Sequence, residues 1–541
     1  MATLIPRMLE EAVQARSGFP AIVAPSRWSR SETWSYERLL DASDRLSASL
    51  VAMGVGAGMR VAVMAPPSPR LFATLFALFR LGAVAVMVDP GMGLKGLKRC
   101  LGEADCQGFI GSPKAMIARA ILGLCPGARI VAHIGNGWLP GYRALVEARS
   151  GGTPVYPAAP VDMAAILYTS GSTGPAKGAV YSAGTLAAQV VALRDMLDIQ
   201  PGEVDLSTFP LFGLYAPVLR MTAVIPIMDF TRPASVDAAM LLDMAARYRV
   251  DNLFASPAVL TRLAKRAEEH GGLDRLKRIV SAGAPVPWPL VRRVRALLRP
   301  GASVYTPYGM TEALPIACPS DSGILGDALE RTRCGGGIYL GKPVPGIRVT
   351  ILPASDEPLG TLPDSLPPGA HGEIAVTGPQ VTRSYWRRPE ADSRHKMTVD
   401  GKVIHRTGDL GYLDSSGDLW YLGRQAQAVR VGGKSYPADA CEAVFLDLPG
   451  VSRVALVQAG PDCAALVVEP HTGVSSANLK AEIRRRAAEV DLDVPIFTVL
   501  IHGPFPVDRR HNSKIDRETL GHWAASQPEV SQGFNRSAIP N

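Results

Sequence analysis

Only seven cysteines occur in the 541 residues (Cys100, Cys106, Cys125, Cys318, Cys334, Cys441 and Cys463), and no two of them form a CxxC pair. Scattered and odd in number, they argue against structural zinc and favour reduced thiols in a cytoplasmic protein. Charge of one sign is not concentrated either. Lys and Arg number 57 against 49 Asp and Glu, a formal net charge of +8. There is no long basic run, no aromatic–basic interleaving and no zinc-finger spacing, so a nucleic-acid partner is not expected. Anionic substrates or an acidic partner surface account for the balance. The first residues, MATLIPRMLEEAVQ, carry two glutamates and lack the apolar core of a signal peptide. The most hydrophobic stretch, 71–88, contains Arg80 and ends in Asp89-Pro90, which reads as a buried helix and a strand rather than a membrane span. No internal repeat is evident.

What is present is a soluble-globular composition, 47 % hydrophobic and 20 % charged, in a chain long enough for several cores. Strand-like runs at 60–64 and 83–88 and amphipathic helical patterns at 39–53 and 240–248 alternate through the first 350 residues, predicting an α/β protein with mainly parallel sheets. Residues 353–370, rich in Pro, Asp, Ser and Gly, read as a long loop within a β-rich section ending near Tyr421. A smaller unit follows from about Gly423, with strands at 454–457 and 464–468 and a charged helix at 478–490. The polar stretch 526–541 is expected to be a disordered tail.

Residues 168–178, YTSGSTGPAKG, concentrate the chemistry. Thr169, Ser170, Gly171, Ser172, Thr173 and Gly174 follow the apolar run 164–167 and precede Lys177 and Gly178. A strand ending in such a loop offers backbone N–H groups and hydroxyls to polyphosphate, with the lysine as a movable positive charge. It is not a Walker A loop, because Ala176 precedes the lysine and Gly178 follows it. The plain alternative is a flexible Gly/Ser connection between core elements.

This loop resembles the phosphate loop of the adenylate-forming superfamily of acyl-CoA synthetases, peptide-synthetase adenylation domains and firefly luciferase. Three further segments recur in the family's order: Tyr308-Gly309-Met310-Thr311-Glu312, then Thr407-Gly408-Asp409 with Gly423-Arg424, then Lys514-Ile515-Asp516-Arg517. The resemblance spans about residues 20–520. It implies a large, multi-subdomain N-terminal α/β adenylation domain (1–422), a hinge (423–428) and a small, mobile α+β C-terminal lid (429–525). It implies ATP and Mg²⁺ as the groups bound. Thr169, Ser170, Ser172, Thr173 and Lys177 would hold the leaving pyrophosphate, and Glu312 would be the metal ligand. Thr311 would contact the α-phosphate, and Tyr308 would stack on adenine opposite Gly283-Ala284-Pro285. Asp409 would accept from both ribose hydroxyls, with Arg424 near the same sugar. Lys514 would bridge the carboxylate and the α-phosphate as a flexible point charge. Its alternative is a solvated surface lysine.

Several positions depart from the common acyl-CoA synthetase pattern: Ala183, Gly213, Ala426 and Ser435, with Ser513 where a glycine usually precedes the lysine. Together with PVDRRHNSKI, YGMTEALP and the segment 87–104, they resemble one branch, the β-lactone synthetases of bacterial olefin biosynthesis. That branch implies a β-hydroxy or fatty acid substrate whose own hydroxyl closes the ring. Small residues at 183 and 213 would then make room for a second alkyl chain. A conventional acyl-CoA or acyl-AMP ligase is the alternative, and coenzyme A would be needed only there. A non-catalytic relative is the third reading. Joint retention of Lys177, Glu312, Asp409 and Lys514 speaks against it. A complex with neighbouring hydrocarbon-pathway enzymes is left open.

Overall fold

The computed structural model of the chain describes residues 4–26, 31–135, 143–145, 147–148, 155–169, 176–490, 492, 498–507 and 514–530. Short runs of β-branched and small apolar residues make its buried strands, as expected for sheets covered on both faces. Arg60–Met64, Val84–Val88 and Gly108–Gly111 pair in parallel within a seven-stranded sheet. That sheet continues through Ile130–His133 and Arg143–Ala144 on one side and Met163–Thr169 and Lys177–Ser182 on the other. Only its last pair is antiparallel. A second seven-stranded sheet runs Ser303–Tyr305, Arg278–Ser281, Asn252–Ala255, Val204–Ser207, Thr222–Val224, Pro20–Ala24 and Glu32–Ser35, again antiparallel only at the last pair. The α/β expectation holds. The run 71–88 divides as anticipated into a buried helix, Pro69–Arg80, and the strand Val84–Val88.

Serines end the loops that lead out of these strands. Ser68, Ser112 and Ser256 accept the backbone N–H three residues on and start helices whose first residue is proline. Each cap satisfies a donor that the helix leaves unpaired, and proline costs nothing at that position. The strands therefore deliver their carboxyl ends, and the loops that follow them, to one edge of each sheet. In open parallel sheets that edge is where ligands bind.

A third sheet, antiparallel, orders Ile338–Gly341, Leu419–Arg424, Lys402–Leu413, Gly372–Thr377 and Arg348–Leu352, with Lys396–Val399 pairing on Lys402–Leu413. Residues 353–370 carry no helix or strand. Beyond Arg424 the strands Val451–Gly460, Cys463–Pro470 and Thr498–Ile501 form a separate sheet with two apolar cores of its own. Contacts tie it to the preceding sheets: Ala440 packs with Leu410, Tyr412 and Leu422, and Trp288 Nε1 donates to the Ala443 carbonyl at 3.4 Å. Order continues past Ala525. Val530 is buried in the core that also holds Phe505 and Leu520, so Ser526–Val530 are held by apolar packing where a tail was expected. Residues 531–541 lie outside the described ones.

Candidate active site

A cleft of about 2730 Å³ opens where the carboxyl ends of both parallel sheets face the third sheet and the C-terminal unit. Met64, Val88, Ser112 and Tyr168 line it from the first sheet, and Thr208, Ser256, Gly283 and Thr306 from the second. Lys177, Ala284, Pro285, Tyr308, Gly309, Met310, Thr311, Glu312, Asp409, Arg424 and Lys514 all line the same cleft. Of the remaining sequence-derived positions, Thr169 ends its strand with its backbone opposite Lys177. Ser170, Gly171, Ser172, Thr173 and Gly174 lie outside the described residues.

Local sequence explains how these groups are set. Lys177 starts a strand whose partner ends at Thr169, so the pairing Thr169↔Lys177 and Tyr168↔Gly178 fixes the lysine directly across from the end of that strand. Gly178 is required there, because a Cβ would stand 2.6 Å from Tyr168 Cζ. Tyr308–Met310 pairs antiparallel with Ala313–Ala317, and the hairpin is tight enough that a Cβ on Gly309 would meet the Ala313 carbonyl oxygen at 2.9 Å. Asp409 and Arg424 are direct cross-strand partners.

Asp409 is 1 % exposed. Its Oδ2 accepts from the Tyr308 hydroxyl at 2.7 Å, and Arg424 Nε stands 2.8 Å from Oδ1. Burial pushes the Asp409 carboxyl up, while Arg424 and the Tyr308 bond pull it back. The arginine is an ion-pair contact rather than an aligned donor, and Oδ1 has no hydrogen-bond partner among the described residues. A buried carboxylate oxygen in that state fits a hydroxyl-bearing ligand such as a ribose, because unpaired buried acceptors are costly.

Tyr385 and His395, just before the third sheet's strand Lys396–Val399, line the opposite wall. The Tyr385 hydroxyl donates to Glu312 Oε1 at 2.7 Å. Thr382 donates to the Glu312 carbonyl through its backbone N (2.8 Å) and its hydroxyl (3.1 Å). Lys396 Nζ in turn donates to the Thr382 carbonyl at 2.7 Å. Lys177 and Lys396 lie on the Tyr385 ring at 5.2 and 5.5 Å from its centroid. Burial lowers the pKa of Lys177 and brings that of Lys396 to about 8, with Glu312 opposing both shifts. His395 falls to about 4 through burial and the charge of Lys177, so it is neutral at physiological pH. None of Thr382, Tyr385, His395 or Lys396 stood out in the sequence. The one local signal that could have marked any of them is the doublet Tyr385-Trp386, two large aromatics in an otherwise charged run.

Glu312 suits a hard cation. Among the described residues no group of three or more His, Cys, Asp or Glu side chains is placed to hold a metal by itself. One carboxylate with ligand oxygens completing the shell is the usual arrangement for Mg²⁺. Tyr385→Phe removes the hydroxyl that orients Glu312 Oε1. The expected result is an apparent KM for Mg²⁺ raised about tenfold, from losing a hydrogen bond to a charged group worth ~1.5 kcal/mol, with the fold intact. Titrating Mg²⁺ at saturating ATP checks it.

Lys514 arrives from the C-terminal unit. Ile515 bridges Val507, Asp516 caps the helix Arg517–Ala525, and Arg517 Nη2 donates to Glu442 Oε1 and Oε2 at 2.9 and 2.7 Å. These contacts anchor the residues that follow the lysine. One expectation is not met: Ala183 and Gly213 do not line the cleft. A Cβ on Gly213 would meet Phe72 Cζ at 3.3 Å, and it is the Phe72 ring that faces the cavity. The small residue at 213 therefore makes room for Phe72, not directly for substrate.

Residues 9–386 match the model of the AMP-binding enzyme family. The chain belongs to that family. It is an adenylate-forming, AMP-forming ligase by this membership. Among AMP-binding enzymes it is 42 % identical to the olefin beta-lactone synthetase of Stenotrophomonas maltophilia over 516 residues, covering 92 % of each chain. It is 40 % identical to the olefin beta-lactone synthetase of Xanthomonas campestris pv. campestris, covering 92 % of this chain and 91 % of that one. The fold matches the structure of the amide bond synthetase McbA from Marinactinospora thermotolerans with a TM-score of 0.77 at 23 % identity, over 96 % of this chain and 99 % of that one.

Proposed function

We propose that this enzyme activates a β-hydroxy fatty acid as its acyl-adenylate and closes that adenylate to a β-lactone. The supporting observation is likeness across nine-tenths of the chain to two olefin beta-lactone synthetases, in a cleft where a phosphate- and ribose-suited wall meets an apolar one. The apolar wall includes Leu71, Phe72, Leu75, Phe209, Phe212 and Phe254, with the Phe212 and Phe254 rings stacked at 4.4 Å. A hydrocarbon chain is the ligand that such a surface removes from water most favourably.

In the first step a substrate carboxylate oxygen attacks the α-phosphorus of ATP, and the bond to the β-phosphate breaks to release pyrophosphate. Attacker and target are both anionic, so alignment and charge neutralisation carry the catalysis. Asp409 holds the ribose, Tyr308 and Gly283–Pro285 flank the base, and Lys177 faces the departing phosphates. Lys514 neutralises charge between carboxylate and α-phosphate, and Thr311 contacts the latter. Mg²⁺, held by Glu312, would offset phosphate charge when bound. In the second step the β-hydroxyl oxygen attacks the acyl carbon, its proton passes to solvent or a nearby base, and the bond to AMP breaks. Orientation inside a dry cleft replaces a second substrate. Movement of the unit beyond residues 423–428 admits substrate and frees product.

The test is mass spectrometry of products from an α-alkyl β-hydroxy acid with MgATP, with and without coenzyme A. A β-lactone formed without the thiol supports the proposal. Accumulated acyl-AMP that yields product only as a thioester contradicts it and assigns a conventional ligase.

A further inference from the structure

Three of the large apolar side chains left in water fall on two helices that share one core: Leu94 is 64 % exposed, Ile117 51 % and Ile121 77 %. Leu94 opens the helix Gly93–Ala104, and Ile117 and Ile121 lie on Pro113–Leu122. Both helices pack on one face of the first sheet, where Leu97, Leu101 and Met116 share a core around Phe109. Ile117 and Ile121, four residues apart, stand on one side of their helix. Leu94 continues the stripe of Leu97 and Leu101 but is not covered as they are.

The surroundings carry positive charge. Lys95, Lys98, Arg99 and Lys114 are all exposed on the same two helices. The acidic residues there are engaged elsewhere: Glu103 accepts from Arg388, and Asp105 pairs with Arg60 and Arg387. Each helix begins at the cleft. Val88 and Asp89 line it just before the first, and Pro113, Lys114 and Ala115 line it at the start of the second. No helix among the described residues is long and apolar enough to cross a membrane. Exposed aliphatic side chains ringed by lysines are instead the pattern of a surface that rests in the headgroup layer of an anionic bilayer.

We propose that the exposed faces of Gly93–Ala104 and Pro113–Leu122 dock this enzyme on anionic lipid bilayers, which sets the ends of these helices that adjoin the cleft beside the membrane. Leu94, Ile117 and Ile121 enter the interface, and Lys95, Lys98 and Arg99 meet lipid phosphates. A long-chain acid then passes between bilayer and cleft without crossing bulk water. The purpose rests on the reading of the substrate as a lipid acid; the docking itself does not, because it needs neither ATP nor turnover.

Co-sedimentation of the full-length protein with vesicles tests it, using phosphatidylcholine alone or mixed in equal proportion with phosphatidylglycerol. Binding is expected on the mixed vesicles and not on phosphatidylcholine alone. Replacing Leu94, Ile117 and Ile121 together with serine lowers partitioning about tenfold or more. Lys95→Gln, Lys98→Gln and Arg99→Gln each lower it about fivefold. None of these six residues lines the cleft, so turnover of a short, freely soluble acid stays at the parent rate in every variant, which also reports an intact fold. No binding by the parent, or equal binding by the serine variant, overturns the proposal. A serine variant that changes sedimentation size while vesicle binding is absent in both proteins assigns the patch to protein contact and overturns it as well.

Discussion

Lys514→Ala lowers the rate of pyrophosphate-forming adenylation by about 10²–10³-fold, the usual effect of removing one preorganised charge from an anionic transition state. The reason lies in where the lysine is carried. It lines the cleft with Glu312 and Asp409 although it comes from the opposite end of the chain, and Arg517 on Glu442 anchors the segment that holds it. In the proposed mechanism its charge acts while carboxylate and phosphate approach, and that repulsion is gone once the adenylate exists. Conversion of a synthetic acyl-adenylate supplied to the variant therefore stays within a few fold of the parent. Equal loss in both assays means that Lys514 serves folding or lid closure instead. Lys514→Arg keeps charge but not the compact ammonium, and it is expected to recover only part of the rate.

Asp409→Ala raises the KM for ATP by about a hundredfold and lowers thermal stability at the same time, through loss of a nearly buried charge partner worth ~3 kcal/mol. Two effects coincide because the proposed mechanism gives one carboxylate two duties. It holds the Tyr308 hydroxyl at 2.7 Å and balances Arg424 at 2.8 Å, and its Oδ1 keeps acceptor capacity for a ribose hydroxyl. The double variant Asp409→Ala with Arg424→Met removes the uncompensated cation and is expected to regain stability without regaining ATP affinity. That split separates the structural duty from the binding one. An unchanged KM for ATP in Asp409→Ala places the nucleotide elsewhere.

The sequence was most legible where local pattern decides structure. Arg60–Met64 alternates β-branched and small residues, and it forms the strand that this pattern predicts. The helix expected at 39–53 begins three residues earlier, at Tyr36, because Ser35 caps it by accepting from Arg38 N. Helix ends depend on such caps more than on hydrophobic period. Motif spacing also announced the groups that the fold brings to one cleft. What it did not announce is how they support each other. Tyr308 and Asp409 are 101 residues apart, and Tyr385 and Glu312 are 73 apart, and nothing in a single sequence encodes those pairings. Lys396 shows the same limit: it reads as one more surface lysine until the strand pairing turns it under the Tyr385 ring. Gly213 misled for a related reason, since a small residue says that room exists without saying which neighbour takes it.

Incorporation of labelled pyrophosphate into ATP, driven by a long-chain β-hydroxy acid, probes the whole account most directly. The enzyme is expected to catalyse this exchange with Mg²⁺ present. It should also do so with the matching acid that lacks the β-hydroxyl, because adenylation precedes ring closure. Absence of exchange with every lipid acid offered, or exchange undiminished in both Lys514→Ala and Asp409→Ala, would contradict it.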